Sequence, residues 1–186
     1  GLATSGLLSR KLGGPAVFPA IPPNVIGTSS ANHKWPESNG EDRYRRGIYT
    51  AIYRANVYPM LLMFDGPDRD NACTRRSRSN TPMQALTIAN DTTFLEMARA
   101  LGSRLHKCQG QNSQDVIRFG FLVGLSREAT SREVRTLSAF QASRREYYES
   151  HTEETRALTN ATDPELASWI AVARVIMNLD EFITRE

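Results

Sequence analysis

Four helix starts are written into the second half of the chain, and they constrain its fold more than any other feature. Thr81 is an N-cap candidate with Pro82 at the first helical position, where a missing N–H costs nothing. Asn90-Asp91 reads as a break with a new cap. Thr130 and Glu133 match the Thr-x-x-Glu capping box, in which each side chain satisfies an orphan backbone donor. Asp163 followed by Pro164 starts a last long helix. Apolar residues at helical spacing accompany these starts. Phe94, Met97, Ala98, Leu101 and Leu105 share one face, and Val116, Ile117, Phe121 and Leu122 mark a helix over Ser113 to Val123. After Thr130, Val134, Leu137 and Phe140 point inward while Arg132, Arg135, Arg144, Arg145 and Glu146 point outward. Leu166, Trp169, Ile170, Ala173 and Ile176 form the last stripe.

The front of the chain obeys different rules. Thr4 to Leu12 predicts a short helix, with Leu7, Leu8 and Leu12 on one side and Gly13-Gly14 as its stop. Gly14 to Asn39 contains Pro15, Pro19, Pro22, Pro23 and Pro36, which fix φ and remove donors, so an extended arm is expected there. Val17, Phe18, Ile21, Val25 and Trp35 imply that this arm wraps onto a core. Ile48, Thr50 and Ile52 alternate with Tyr49, Ala51 and Tyr53, which favours a short strand. Tyr58 to Phe64 reads as a helical turn or strand.

The expected fold is therefore mainly α: a bundle-like helical domain with a Pro-rich extended N-terminal arm and at most a short strand or two. A length of 186 residues suits one domain over 1–186, with the arm and strand in 1–63 and the helical core in 64–186. The chain starts at Gly1 without a charged or apolar leader, and is read as a fragment of something longer. No apolar run approaches the ~20 residues of a membrane span. A net charge of +3 permits an anionic partner without demanding one.

Chemistry-bearing residues concentrate in Phe64 to Leu86, FDGPDRDNACTRRSRSNTPMQAL. Arg69, Arg75, Arg76 and Arg78 lie in this stretch, with Arg43 and Arg46 upstream. Their planar forks suit carboxylate, phosphate or sulfate, which makes them candidates for an anion or partner site. They also interleave with Glu41, Asp65, Asp68 and Asp70. That interleaving favours internal pairing, which holds irregular backbone where no ladder can. Cys73 sits among cations but has no histidine near it in sequence, so a structural thiol or a disulfide to Cys108 is preferred to a nucleophile. The D-x-x-D-x-D spacing of Asp65, Asp68 and Asp70 lacks the glycine and terminal glutamate of a calcium loop. No metal site and no cofactor is expected. Nucleic-acid binding is disfavoured, because no recognised module surrounds the arginines. A hydrolase acting on anionic polysaccharide stays open as the enzymatic alternative, with Glu41, Asp65 or Asp68 as acid or base and Arg75, Arg76 or Arg78 on the anion.

Four blocks carry a resemblance: SGLLSRKLGGP (Ser5 to Pro15), GEDRYRRGIYT (Gly40 to Thr50), the Phe64 to Leu86 stretch, and NLDEFITRE (Asn178 to Glu186). GLSREATSRE (Gly124 to Glu133) adds to it. Together they resemble the C-terminal portion of the planctomycete-type cytochrome-c-associated domain family, domain of unknown function fifteen-fifty-three. The resemblance implies a piece of a large exported bacterial protein, periplasmic or at the cell surface. It implies other domains as partners, among them a cytochrome-c-like module upstream, and an exported partner protein. It assigns no catalytic residue. The expectation is an interaction or structural domain whose Arg/Asp-rich loop faces an anionic partner.

Overall fold

A computed structural model describes residues 1–22, 35–53, 57–67, 74–75, 79–108 and 112–184. Its helices are α1 (Leu2–Ser5), α2 (Pro59–Met63), α3 (Pro82–Asn90), α4 (Thr92–His106), α5 (Ser113–Leu125), α6 (Ser131–Ser150), α7 (Thr152–Thr159), α8 (Pro164–Met177) and α9 (Asp180–Ile183). Two 3-10 turns, Gly40–Tyr44 and Gly47–Tyr49, separate the arm from α2. The protein is mainly helical, as the apolar spacing predicts.

All four expected starts form. Thr81 and Gln84 make a reciprocal capping box, as do Thr130 and Glu133. Asp91 accepts the Thr93 N–H at 2.8 Å, and Asp163 accepts the Leu166 N–H at 2.9 Å. Each cap satisfies donors that the first helical turn cannot satisfy itself.

Helix α8 is the axis of the core. It packs on α4 and α6 and also touches α5, α7 and α9. Every residue from Ala167 to Ala173 is buried, so the helix is covered all round rather than along the one stripe expected of it. Two of its isoleucines enter notches made by glycines. A Cβ at Gly102 of α4 would lie 2.6 Å from Ile170 Cγ1 and 2.7 Å from Ile170 Cα. On α5, a Cβ at Gly120 would meet Ile176 Cδ1 at 2.9 Å, and one at Gly124 would meet Ile176 Cγ2 at 3.0 Å. Glycine lets the α4 and α8 backbones approach more closely than any side chain would allow. Toward α6 the contact is partly polar: Gln141 Nε2 donates to Ser168 Oγ at 2.9 Å inside the core.

Several local expectations are corrected. The helix expected over Thr4 to Leu12 ends at Ser5, because Gly6 adopts φ 83° and returns its N–H to Ala3. Among the described residues no strand forms. Val17 and Thr50 make a single parallel bridge, and Gly47–Tyr49 winds into a 3-10 turn. That winding breaks the two-residue alternation: Ile48 and Ile52 are both exposed while Thr50 and Ala51 are both buried. Leu122 points to solvent, unlike the other three apolar positions expected on α5. The arm does fold back, with Val17 and Ala20 buried, but its aromatics make a cluster of their own. Phe18 meets Trp35 edge-on at 5.1 Å, and Trp35 stacks on Tyr58 at 6.0 Å. Burial pushes the Tyr58 phenol up to about 12. Val25 lies outside the described residues. Helices α7 and α9 lack a long apolar stripe. Arg99 holds the end of α7 by donating to the carbonyls of Ala157 and Leu158, both at 2.7 Å.

The notches predict an order of sensitivity. Gly102→Ala forces a methyl against backbone atoms of α8 and is expected to destabilise by about 3 kcal/mol or more, at the upper end of overpacking costs. Gly120→Ala meets only the rotatable side-chain ends of Ile176 and Leu105 and is expected to cost clearly less. Urea midpoints of the two variants check this, and equal losses would refute the backbone-contact account.

Candidate functional site

The stretch expected to carry function leaves the core at the end of α2 and returns at Thr81. Asp65 takes a left-handed conformation, φ 54°, which an aspartate tolerates better than most side chains. Gly66 follows, tight against Leu61, so a side chain there would collide with the Leu61 carbonyl. From this turn the Asp65 carboxylate reaches across to the far end of the loop. Oδ2 accepts the Ser79 N–H at 2.8 Å, and the Ser79 hydroxyl donates to the same carboxylate at 2.8–2.9 Å. Gln84, 1% exposed, completes the closure. Its Nε2 donates to the Met63 carbonyl at 2.9 Å and to Ser79 Oγ at 3.0 Å, while its Oε1 accepts the Thr81 N–H at 2.9 Å. Next to it, Asn80 Nδ2 donates to Asp180 Oδ1 on α9 at 2.9 Å. The two ends of the segment 66–78 are thus joined at a neck by an acid, a hydroxyl and a buried amide.

Of the arginine candidates, Arg43 is consumed within the fold. Its Nη2 donates to Glu96 Oε1 at 2.7 Å and its Nε to Glu96 Oε2 at 3.2 Å, a bidentate grip on α4. Nη1 reaches Glu37 at 3.1 Å. The bonds to Glu96 push the Arg43 pKa above the ordinary arginine value despite some burial. Tyr44 donates to the same glutamate at 2.9 Å. Internal pairing is therefore the fate of Arg43. Arg46, Arg75 and Glu41 are exposed. Arg69, Arg76, Arg78, Asp68, Asp70 and Cys73 lie outside the described residues. Cys108, the other half of the expected cysteine pairing, is a free thiol whose Sγ donates to the Arg104 carbonyl at 3.4 Å.

Two arginines outside the candidate set tie the chain together. Arg45 is 3% exposed. Its Nη2 donates to the carbonyls of Lys11 (3.0 Å) and Gly13 (2.7 Å), and its guanidinium stacks 3.9 Å above the Tyr49 ring. Ser5 to Pro15 is thereby pinned to Gly40 to Thr50. Arg127 grips two carboxylates at once, Glu133 Oε1 at 2.7 Å and Glu181 Oε2 at 2.6 Å. It holds the start of α6 against α9. Arg127, with help from Thr130, holds the Glu133 carboxyl well below its usual range, at about 2. Bonds from Arg127 lower Glu181 as well. Sequence reasoning passed over Gln84, although Thr81-x-x-Gln84 is itself a capping-box pattern. No local signal announces Arg127 with Glu181, or Arg43 with Glu96, because each pair is more than 50 residues apart.

The carboxylate of Asp65 is thus a structural acceptor, and an acid–base role would require opening the neck. No group of three or more His, Cys, Asp or Glu side chains gathers into a metal site among the described residues. Nor is any helix among them long and apolar enough to cross a membrane. A family model described as "Protein of unknown function (DUF1553)" matches residues 1–141. The chain belongs to the DUF1553 family. No curated protein and no solved structure matches it. The DUF1553 match takes in the arm, the closed neck and most of the first six helices, and it ends within α6, ahead of α8.

Two outcomes are expected of this arrangement. Ser79→Ala removes the hydroxyl shared by Asp65 and Gln84, and should cost about 1–3 kcal/mol. It should also speed tryptic cleavage within 66–78, followed by mass spectrometry; unchanged cleavage would show that the neck restrains nothing. The second outcome is a pH dependence. Glu133 has a folded pKa below its ordinary 4.5, so its contribution is complete above 4.5 and is lost as pH falls toward 2. Thermal midpoints should drop through that window, and Glu133→Gln should flatten part of the drop.

Proposed function

We propose that this chain is an interaction module of an exported, multidomain bacterial protein, and that its closed loop presents arginines to an anionic partner. The observation that carries the reading is the neck. Ser79 and Asp65 hold the two ends of residues 66–78 within hydrogen-bond distance, so Arg69, Arg75, Arg76 and Arg78 all fall in the one segment between those ends. Only Asp68 and Asp70 oppose those four arginines within the loop, which leaves it cationic. Binding, rather than acid–base chemistry, is what such a segment supports best. Export to the periplasm or cell surface, the company of a cytochrome-c-like module, and an exported partner protein belong to the same proposal. They rest on the resemblance of the four sequence blocks.

Heparin-agarose, a sulfated polysaccharide, tests the reading directly. The chain should be retained and should elute earlier as salt rises, since each arginine–anion contact releases counterions. The combined variant Arg75→Gln, Arg76→Gln, Arg78→Gln should elute at lower salt with its circular dichroism unchanged, while Arg132→Gln on α6 should not. Retention that ignores the three loop arginines would overturn the proposal. Release of new reducing ends from the polysaccharide would replace it with the hydrolase reading.

A further inference from the structure

A second cationic site lies far along the chain from the loop, in an open cleft of about 410 Å³ between α3, α6 and α8. That volume falls in the range of small-molecule sites. Residues one and two turns apart line it: Phe140 and Arg144 from α6, Arg174 and Val175 from α8, with Ile88 from α3 and Leu179 beyond α8. Among the described residues the lining contains two arginines and no carboxylate. Elsewhere among the described residues, arginines such as Arg43, Arg118, Arg127 and Arg145 are each matched to an acid.

The two cleft arginines are held by other means. Arg174 Nη2 donates to the Ala89 carbonyl at 2.8 Å, which anchors it at the C-terminal end of α3. The Arg144 guanidinium lies 5.6 Å from the Phe140 ring and 5.1 Å from the Tyr147 ring. Arg144 Nε is buried, and no described group accepts its hydrogen. A guanidinium oriented by aromatic faces rather than by a carboxylate is suited to an anionic oxygen. The remaining walls are mostly aliphatic and aromatic.

We infer that this cleft binds a small amphiphilic carboxylate, its head on Arg144 and Arg174 and its apolar body along Ile88, Phe140 and Val175. The walls select against a fully hydrated anion, and the arginines select against a neutral lipid-like molecule. This site is independent of the loop proposal and would stand if the loop bound nothing.

Isothermal titration of the full chain with decanoate tests it, with decanol as the uncharged body and acetate as the bare head. Decanoate should bind, and decanol and acetate should each bind at least about tenfold more weakly, the worth of one charge-assisted contact or of the apolar body. Arg144→Gln should weaken decanoate by about tenfold, Arg144→Lys should recover part of the loss, and Arg132→Gln outside the cleft should change nothing. Arg174 is left intact because its bond to Ala89 also holds α3. Equal binding of decanol, equal binding of acetate, indifference to Arg144→Gln in a chain that retains its helical circular dichroism, or no decanoate binding at all would each overturn the inference.

Discussion

The close approach of α4 and α8 at Gly102 is the constraint on which the remaining architecture depends. With Ile170 seated where a side chain at 102 would be, the two helices share one packed surface. Helix α8 then presents Ile176 toward Gly120 and Gly124 of α5, and Ser168 toward Gln141 of α6. A helix buried on every side can serve several neighbours at once, but only if each neighbour yields space. Glycine yields it on α4 and α5. On α6 a buried amide–hydroxyl bond joins the apolar contacts of Val134 and Leu137, and it is satisfied, so its burial is not a liability.

Around this core, the irregular front half is held by a different kind of interaction. Extended backbone and 3-10 turns leave carbonyls and N–H groups without ladder partners, and those must be met some other way. Arg45 meets the carbonyls of Lys11 and Gly13, Ser38 meets Phe18, and Asp65 meets Ser79. Arg43 fastens this half to α4 through Glu96, while Asn80 and Arg127 both fasten their segments to α9. Charged and amide side chains replace secondary structure as the organising element wherever the ladder stops.

That division explains what was legible in the sequence. Helix starts were readable because a cap involves residues two or three apart, and the Asp91, Thr130 and Asp163 caps formed where the pattern placed them. The stripe of α4 was readable because every one of its apolar positions is buried. The strand expected over Ile48 to Tyr53 failed because alternation is a weak local signal: Gly47–Tyr49 winds into a 3-10 turn, and Thr50 makes a single bridge to Val17. The neck was only half legible. Thr81-Pro82 marked the return of the loop, but nothing near Asp65 indicates that its partner is Ser79 rather than one of the intervening arginines. Pairs such as Arg43 with Glu96 depend on the completed fold, so their residues are visible in the sequence and their assignments are not.

The arginines differ in what they can still do. In a chain where acids and arginines interleave, charge density is a poor guide to function, because the densest clusters are also the ones with the most opportunity to pair internally. Arg43 and Arg127 both end in bidentate grips, Arg43 on Glu96 and Arg127 on Glu133 and Glu181. Arg144 sits within a run of basic and acidic residues on α6, yet its helical position turns it away from Glu149 and Glu165, which Arg145 takes instead. One residue of register thus separates a structural arginine from one with a donor left over. At Arg144 the consequence is a guanidinium held in place by aromatic rings rather than by a carboxylate, and that is the condition an anion-recognising surface has to meet.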